Sequence, residues 1–293
     1  MTQTKKASIF ITGATGNVGS LLVQALISKK VPFKMLIRES SRNLIVDNNF
    51  TEVVYGDLRK SESFEHHLQG VEKAFLLTNS SEEAEQIQLN FVKAAKRAGV
   101  KHIVKLSQYS AAPHSPVRFL RYHAAVEKAI KEQGLAFTFL RPNLYMQALL
   151  SLRKSIVNDG KFFAAVGNAP ISAVDIRDIA NVAAQVLTNA GHENKIYNIT
   201  GPEALTHYQM AAFFSEALEK DVHFIDVSPD DMRRALNKAH FPSWQVEGLL
   251  EDYAHYARGE AAEISSAVED VTGAKPHSFR DFCHDYSALF RQI

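Results

Sequence analysis

Short apolar runs alternate with amphipathic stretches through the first half of this chain. "SIFIT" (8–12) is β-branched and apolar, which predicts a buried strand, and "VGSLLVQALISK" (18–29) has helical spacing. Strands are predicted again at 33–37, 51–57, 73–78, 102–107 and 136–142, and helices at 82–98 and 117–130. Strands separated by helices imply parallel β-α-β units, hence an α/β fold with a doubly wound parallel sheet. Ligands then bind at the strand C-terminal edge. After Pro142 the rhythm loosens. "YMQALLSLRKSIVNDG" reads as helix, 175–188 as another and "KIYNIT" (195–200) as a strand, followed by a mainly helical remainder. A soft boundary is placed near 150. It gives a first domain of 1–150 and a smaller one of 151–293, with 173–200 packing back on the first.

Composition changes little. The chain has 293 residues, with 46% hydrophobic and 22% charged positions and a net charge of +1. No strong field recruits nucleic acid or an anionic membrane. The single Cys283 rules out an internal disulfide and fits a reducing compartment. The N-terminal apolar run is too short for a signal peptide or a span, so the expected location is cytoplasmic.

"ITGATGNVGS" carries the clearest chemistry. Gly13, Gly16 and Gly19 follow a strand and open a helix, and Thr15, Asn17 and Val18 lie between them. Small residues permit a tight turn and close approach of phosphate, and the helix start offers free N–H groups. In this context the motif predicts a dinucleotide site rather than a turn that merely needs glycine. Arg38 ends the second strand with Arg42 close behind, which favours NADP(H) over NAD(H), because a guanidinium suits a 2′-phosphate. Glu39 is the competing acid, able to turn toward a ribose. In "YGDL", Asp57 either accepts from the adenine amino group or caps the segment near Ser61, with Leu58 beside it. "LLTNSS" puts Leu77, Thr78 and Asn79 along the cofactor, while Ser80 or Ser81 is expected to cap the next helix.

Several further stretches, "GATGNVG", "VKLS", "LRPNLYMQ", "DIRDIA" and "ITGPEALT", resemble in content and order the NmrA-like subgroup of atypical short-chain dehydrogenases/reductases. The resemblance covers nearly the whole chain. It implies a Rossmann NAD(P)-binding domain followed by a mainly helical substrate domain. It also implies relatives that are quinone reductases, dye reductases or redox-sensing regulators. Short-chain dehydrogenases place a catalytic Tyr and Lys four residues apart on one helix face. Tyr122 plus four is Val126, and Lys128 minus four is Ala124, so the dyad is expected to be absent. The family pattern aligns its acid to Glu127, which puts His123 at the lysine position and Phe119 at the tyrosine position.

His123 is therefore the candidate to hold the nicotinamide ribose, or else is a structural histidine. Ser107, ending the fifth strand, is placed with it as a candidate catalytic residue. Pro142 and Asn143 are expected near the nicotinamide edge. Tyr145, Met146 and Tyr109 are candidates for the acceptor pocket, with core as the alternative fate of the first two. Phe163 and Trp244 are further aromatic candidates. No metal is expected, because the histidines lack ligand spacing. The basic stretch 93–102 reads as a solvated helix end. The chain reads as an NADPH-dependent reductase of a small conjugated acceptor, with no nucleic acid or membrane partner and with a homodimer left open. The alternative is a non-catalytic NADP(H) sensor acting through a protein partner.

Overall fold

The computed structural model describes residues 7–44 and 48–291. Its strands are β1 (Ile9–Ile11), β2 (Phe33–Ile37), β3 (Thr51–Tyr55), β4 (Lys73–Leu76), β5 (His102–Leu106), β6 (Ala136–Pro142), β7 (Lys161–Ala164), β8 (Lys195–Ile199) and β9 (His223–Asp226). Its α-helices are α1 (Asn17–Ser28), α2 (Ala84–Arg97), α3 (Arg118–Glu132), α4 (Arg153–Asp159), α5 (Ile176–Thr188) and α6 (His207–Leu218). They continue with α7 (Pro229–Lys238), α8 (Ser243–Ala257), α9 (Ala267–Thr272), α10 (Phe279–Asp285) and α11 (Ser287–Arg291).

Among the described residues seven strands form one parallel sheet, in the order β3-β2-β1-β4-β5-β6-β8. The inner strands β1, β2 and β5 are buried throughout, as parallel strands covered on both faces must be. Edge strand β3 buries only Val54. One face is covered by α1 and α5, whose Leu22, Leu26, Ile179 and Val182 are buried in one cluster. On the other face α2 and α3 pack Phe91, Val126 and Ile130 around Phe10 and Phe139.

Strand order reverses between β1 and β4, which opens a crevice at their C-terminal ends. Thr12 pins its two banks. Its N–H donates to Phe75 O at 3.0 Å, its hydroxyl donates to Leu77 O at 2.9 Å, and Leu77 N–H donates back to Oγ1 at 2.9 Å.

Two features differ from the sequence reading. The expected helix after Tyr145 is a 3₁₀ segment, Met146–Leu152, followed by the shorter α4. The C-terminal half also contains β9, which pairs in parallel with β7 in a small second sheet. Apolar side chains of this half form a separate core around Phe162, Phe214, Phe279 and Phe282. Within 173–200, α5 packs on α1 and β8 extends the main sheet beside β6.

Candidate active site: a nucleotide groove that opens onto a tyrosine-lined cavity

The glycine loop shows why its spacing matters. Gly13 has φ +66°, and a Cβ there would meet Leu77 O at 2.8 Å. A Cβ on Gly19 would lie 2.0 Å from Gly13 O, so bare backbone is required where α1 crosses the loop. The N-cap of α1 is Gly16, and no side chain caps the helix, so its first amides stay available to an anion. These features fit a pyrophosphate. The groove in front of them has a volume of about 590 Å³. Thr15, Gly16, Asn17 and Val18 line one wall, Arg38, Asp57 and Leu58 another, and Leu77, Thr78 and Asn79 the floor. Gly19 is buried beneath the loop and does not itself line the groove.

Arg38 lines the groove from the end of β2, and among the described residues no acid pairs with it. Glu39 does not line it and pairs with Arg42 at 3.1 Å. The expectation that Asp57 caps the turn at Ser61 is corrected. Its Oδ1 accepts from Arg59 N–H at 3.0 Å, closing its own turn, and Ser61–Ser63 has no side-chain cap. Ser80 and Ser81 do not cap α2, which also lacks a side-chain cap. Ser80 Oγ instead lies 3.2 Å from Tyr122 Oη.

A second cavity of about 260 Å³ shares Leu77, Thr78, Ser80, Leu106 and Tyr145 with the groove, so the two spaces adjoin. Tyr109, Tyr122 and Tyr145 give it aromatic walls. Ser107, His123, Pro142 and Asn143 also line it. Burial raises the Tyr122 phenol to about 12 and raises Tyr145 as well. Both are therefore neutral near pH 7.

Beneath this cavity lies a buried polar network. Lys105, a charged residue inside an otherwise apolar strand, places Nζ 2.6 Å from His123 Nδ1. Burial pulls this lysine down to about 7, opposed by Glu127. Burial first, then Lys105 and Arg141, holds His123 well below its usual range, so the imidazole is neutral. As an ammonium Lys105 can only donate to Nδ1, which then leaves the ring proton on Nε2. Ser107 donates to Glu127 Oε1 at 2.6 Å, and Arg141 Nε donates to the same oxygen at 2.9 Å. Both residues singled out for chemistry therefore line the cavity on a rigid polar base.

The remaining candidates take varied places. Asn143 lines the cavity, and its side-chain amide donates to Ser172 Oγ at 2.8 Å and Ala261 O at 2.9 Å, tying loops together there. Met146 is only 2% exposed and belongs to the second core rather than the cavity, because the turn after Tyr145 directs it inward. Phe163 packs at the margin of that core. Trp244 packs behind the wall, tilted against Phe119 with ring centroids 5.3 Å apart. The Tyr109 hydroxyl donates to Glu263 at 3.0 Å. Lys128 faces solvent beside Glu132 at 3.6 Å, while Tyr122 lines the cavity, so the two do not meet. Cys283 is buried, which raises its thiol and disfavours the thiolate. Among the described residues no His, Cys, Asp or Glu cluster suits a metal, and no helix is long and apolar enough to cross a membrane.

The sequence reading missed Lys105, Gln108 and Asp252. A lysine within "HIVKLS" was the available signal for the first. The other two carry none, since Asp252 of α8 is brought to Gln108 only by folding.

A dinucleotide groove that ends at an aromatic cavity on a doubly wound sheet defines a nucleotide-dependent α/β protein with room for a second ligand. The model of the NmrA-like family matches residues 5–283, and the chain belongs to that family. It is 34% identical over 282 residues to an NAD(P)H azoreductase of Xenophilus azovorans, covering 96% of this chain and 99% of the relative. An NADPH-dependent quinone oxidoreductase of Escherichia coli, crystallised with NADPH, superimposes with a TM-score of 0.87 at 28% identity, covering 96% of this chain and 99% of that one. The triphenylmethane reductase of a Citrobacter species, in complex with NADP(H), gives 0.83 at 28% identity, covering 95% and 99%.

Proposed function

We propose that this chain is an NADPH-dependent oxidoreductase whose acceptor is a flat conjugated molecule of the quinone, azo or dye type. One observation carries the reading: the groove bearing Arg38 and the capless α1 adjoins the aromatic cavity at Tyr145. Family membership and relatives that reduce azo compounds, quinones and dyes support it. When bound, NADPH supplies hydride. Amides at the start of α1 bind the pyrophosphate, and Arg38 binds the 2′-phosphate through its planar fork. His123, neutral and held by Lys105, donates from Nε2 to the nicotinamide ribose. Tyr109, Tyr122 and Tyr145 hold the acceptor flat and exclude water.

In this reading residues 1–150 carry the cofactor, and 151–293 close the acceptor side. No Tyr–Lys pair is required, because a conjugated acceptor takes hydride without a phenol poised for carbonyl chemistry. The test is oxidation of NADPH and of NADH against quinones, azo dyes, cationic dyes and enones. Turnover of at least one class, with NADPH preferred, is expected. If cofactor-loaded protein reduces none of them, the reading fails and a nucleotide-responsive binding protein replaces it. Partner capture with NADPH, with NADP⁺ and with neither would then measure that alternative.

A further inference from the structure

The acceptor cavity contains a carboxyl group that the proposed function leaves without a role. Asp252 lines it from α8 and is only 7% exposed. Gln108 Nε2 lies 3.2 Å from Oδ1 and 3.1 Å from Oδ2, and the Tyr256 hydroxyl lies 3.4 Å from Oδ2. Among the described residues no cation pairs with this carboxyl, and no lysine or arginine lines the cavity. A buried carboxylate with only an amide and a phenol for company is unfavourable, whereas a carboxylic acid there is not.

We propose that Asp252, as the neutral acid, donates the proton that completes reduction of an uncharged acceptor in this cavity. The proposal rests on the reductase reading above. The reduced pyridine nucleotide provides two electrons and one hydrogen as hydride, which forms one new bond to the acceptor. The acceptor π bond opens and its electron pair moves to a terminal oxygen or nitrogen. The Asp252 O–H bond breaks, the new O–H or N–H bond forms, and the carboxylate regains a proton from water. A cationic dye differs, because hydride alone neutralises it and no proton is needed.

The surroundings decide the charge of the group. Burial raises Asp252 to about 7, Gln108 and Tyr256 oppose this, and Glu251 adds to it. Glu251 itself is held by Arg118, and His255 by Glu260. The Tyr109 phenol is engaged by Glu263 and that of Tyr122 by Ser80. Tyr122, Tyr145, Tyr253 and Tyr256 are all raised by burial and are weaker acids than the carboxyl. Asp252 therefore offers the cavity a proton that the more weakly acidic phenols around it hold too tightly to give.

The test uses the full chain and its Asp252→Asn variant with NADPH, a neutral quinone or azo acceptor and a cationic triphenylmethane dye. Wild-type quinone or azo turnover is expected to fall as pH rises through about 7. In the variant this limb disappears, and the ratio of neutral-acceptor to dye kcat/KM falls by about 100-fold. An infrared titration supplies a readout independent of turnover. A protonated carboxyl band that is lost as pH rises from roughly 5 to 9 should be present in wild type and missing in the variant. An equal loss on both acceptors, an unchanged pH profile, or no such band in wild type overturns the proposal while leaving the reductase reading intact. No wild-type turnover on any acceptor overturns both.

Discussion

Arg38 stands at the groove with no acid paired to it among the described residues, while its neighbour Glu39 is paired with Arg42. A free guanidinium beside a phosphate forms charge-assisted hydrogen bonds that a neutral side chain cannot replace. Arg38→Ala should weaken NADPH binding by about tenfold or more and leave NADH within about twofold, as read by titration calorimetry. An equal loss for both nucleotides would remove the 2′-phosphate role. Asp252 makes a prediction about stability. Its folded-state pKa, about 7, is above the usual carboxyl value of 3.8. Its favourable contribution is full below about pH 4 and is lost as pH rises through 7, where a buried charge must form. Asp252→Asn should therefore gain stability over wild type between about pH 4 and 7 and hold that gain above. Denaturant midpoints at several pH values measure this, and a pH-independent difference would contradict it.

The pairing of α3 with α8 decides what the tyrosine-lined cavity contains. A Cβ on Gly248 would lie 2.3 Å from Cζ of Phe119, so the helices approach at a residue without a side chain. Arg118 of α3 clasps Glu251 of α8 at 2.7 Å and donates to Trp244 O at 3.1 Å. Asp252 lies one helical turn beyond Gly248 and shares its face. Gly248→Ala should push α8 outward and displace Asp252. The expected result is a fall of about tenfold or more in acceptor kcat/KM with an unchanged NADPH dissociation constant. Helix propensity favours alanine by about 1 kcal/mol, against an overpacking cost of about 1–3 kcal/mol, so kinetics rather than melting is the decisive readout. If both constants stay at wild-type values, α8 does not position the acceptor side. Register within α3 was legible, since His123, Glu127 and Phe119 share a face by spacing alone. The Lys105 contact was not, because it joins a strand to a helix 18 residues later.

For the molecule as a whole, the order of apolar strands and amphipathic helices settled the layered sheet. The glycine spacing marked the turn whose uncapped helix start suits a phosphate. Both are local properties: burial periodicity follows from backbone geometry, and a tight turn needs glycine wherever it occurs. Family membership was likewise legible, because its motifs are contiguous words. What the linear chain left open was which polar groups meet. Asn143 became a loop clamp, Met146 entered a core, and Asp252 reached Gln108 across 144 residues of sequence. Those outcomes depend on packing between distant segments, which no local pattern encodes. Burial also depends on that packing, and burial makes His123 neutral and Asp252 an acid near pH 7. The sequence determined the scaffold and its glycine loop, and tertiary structure decided the protonation states and identity of the groups around the second cavity.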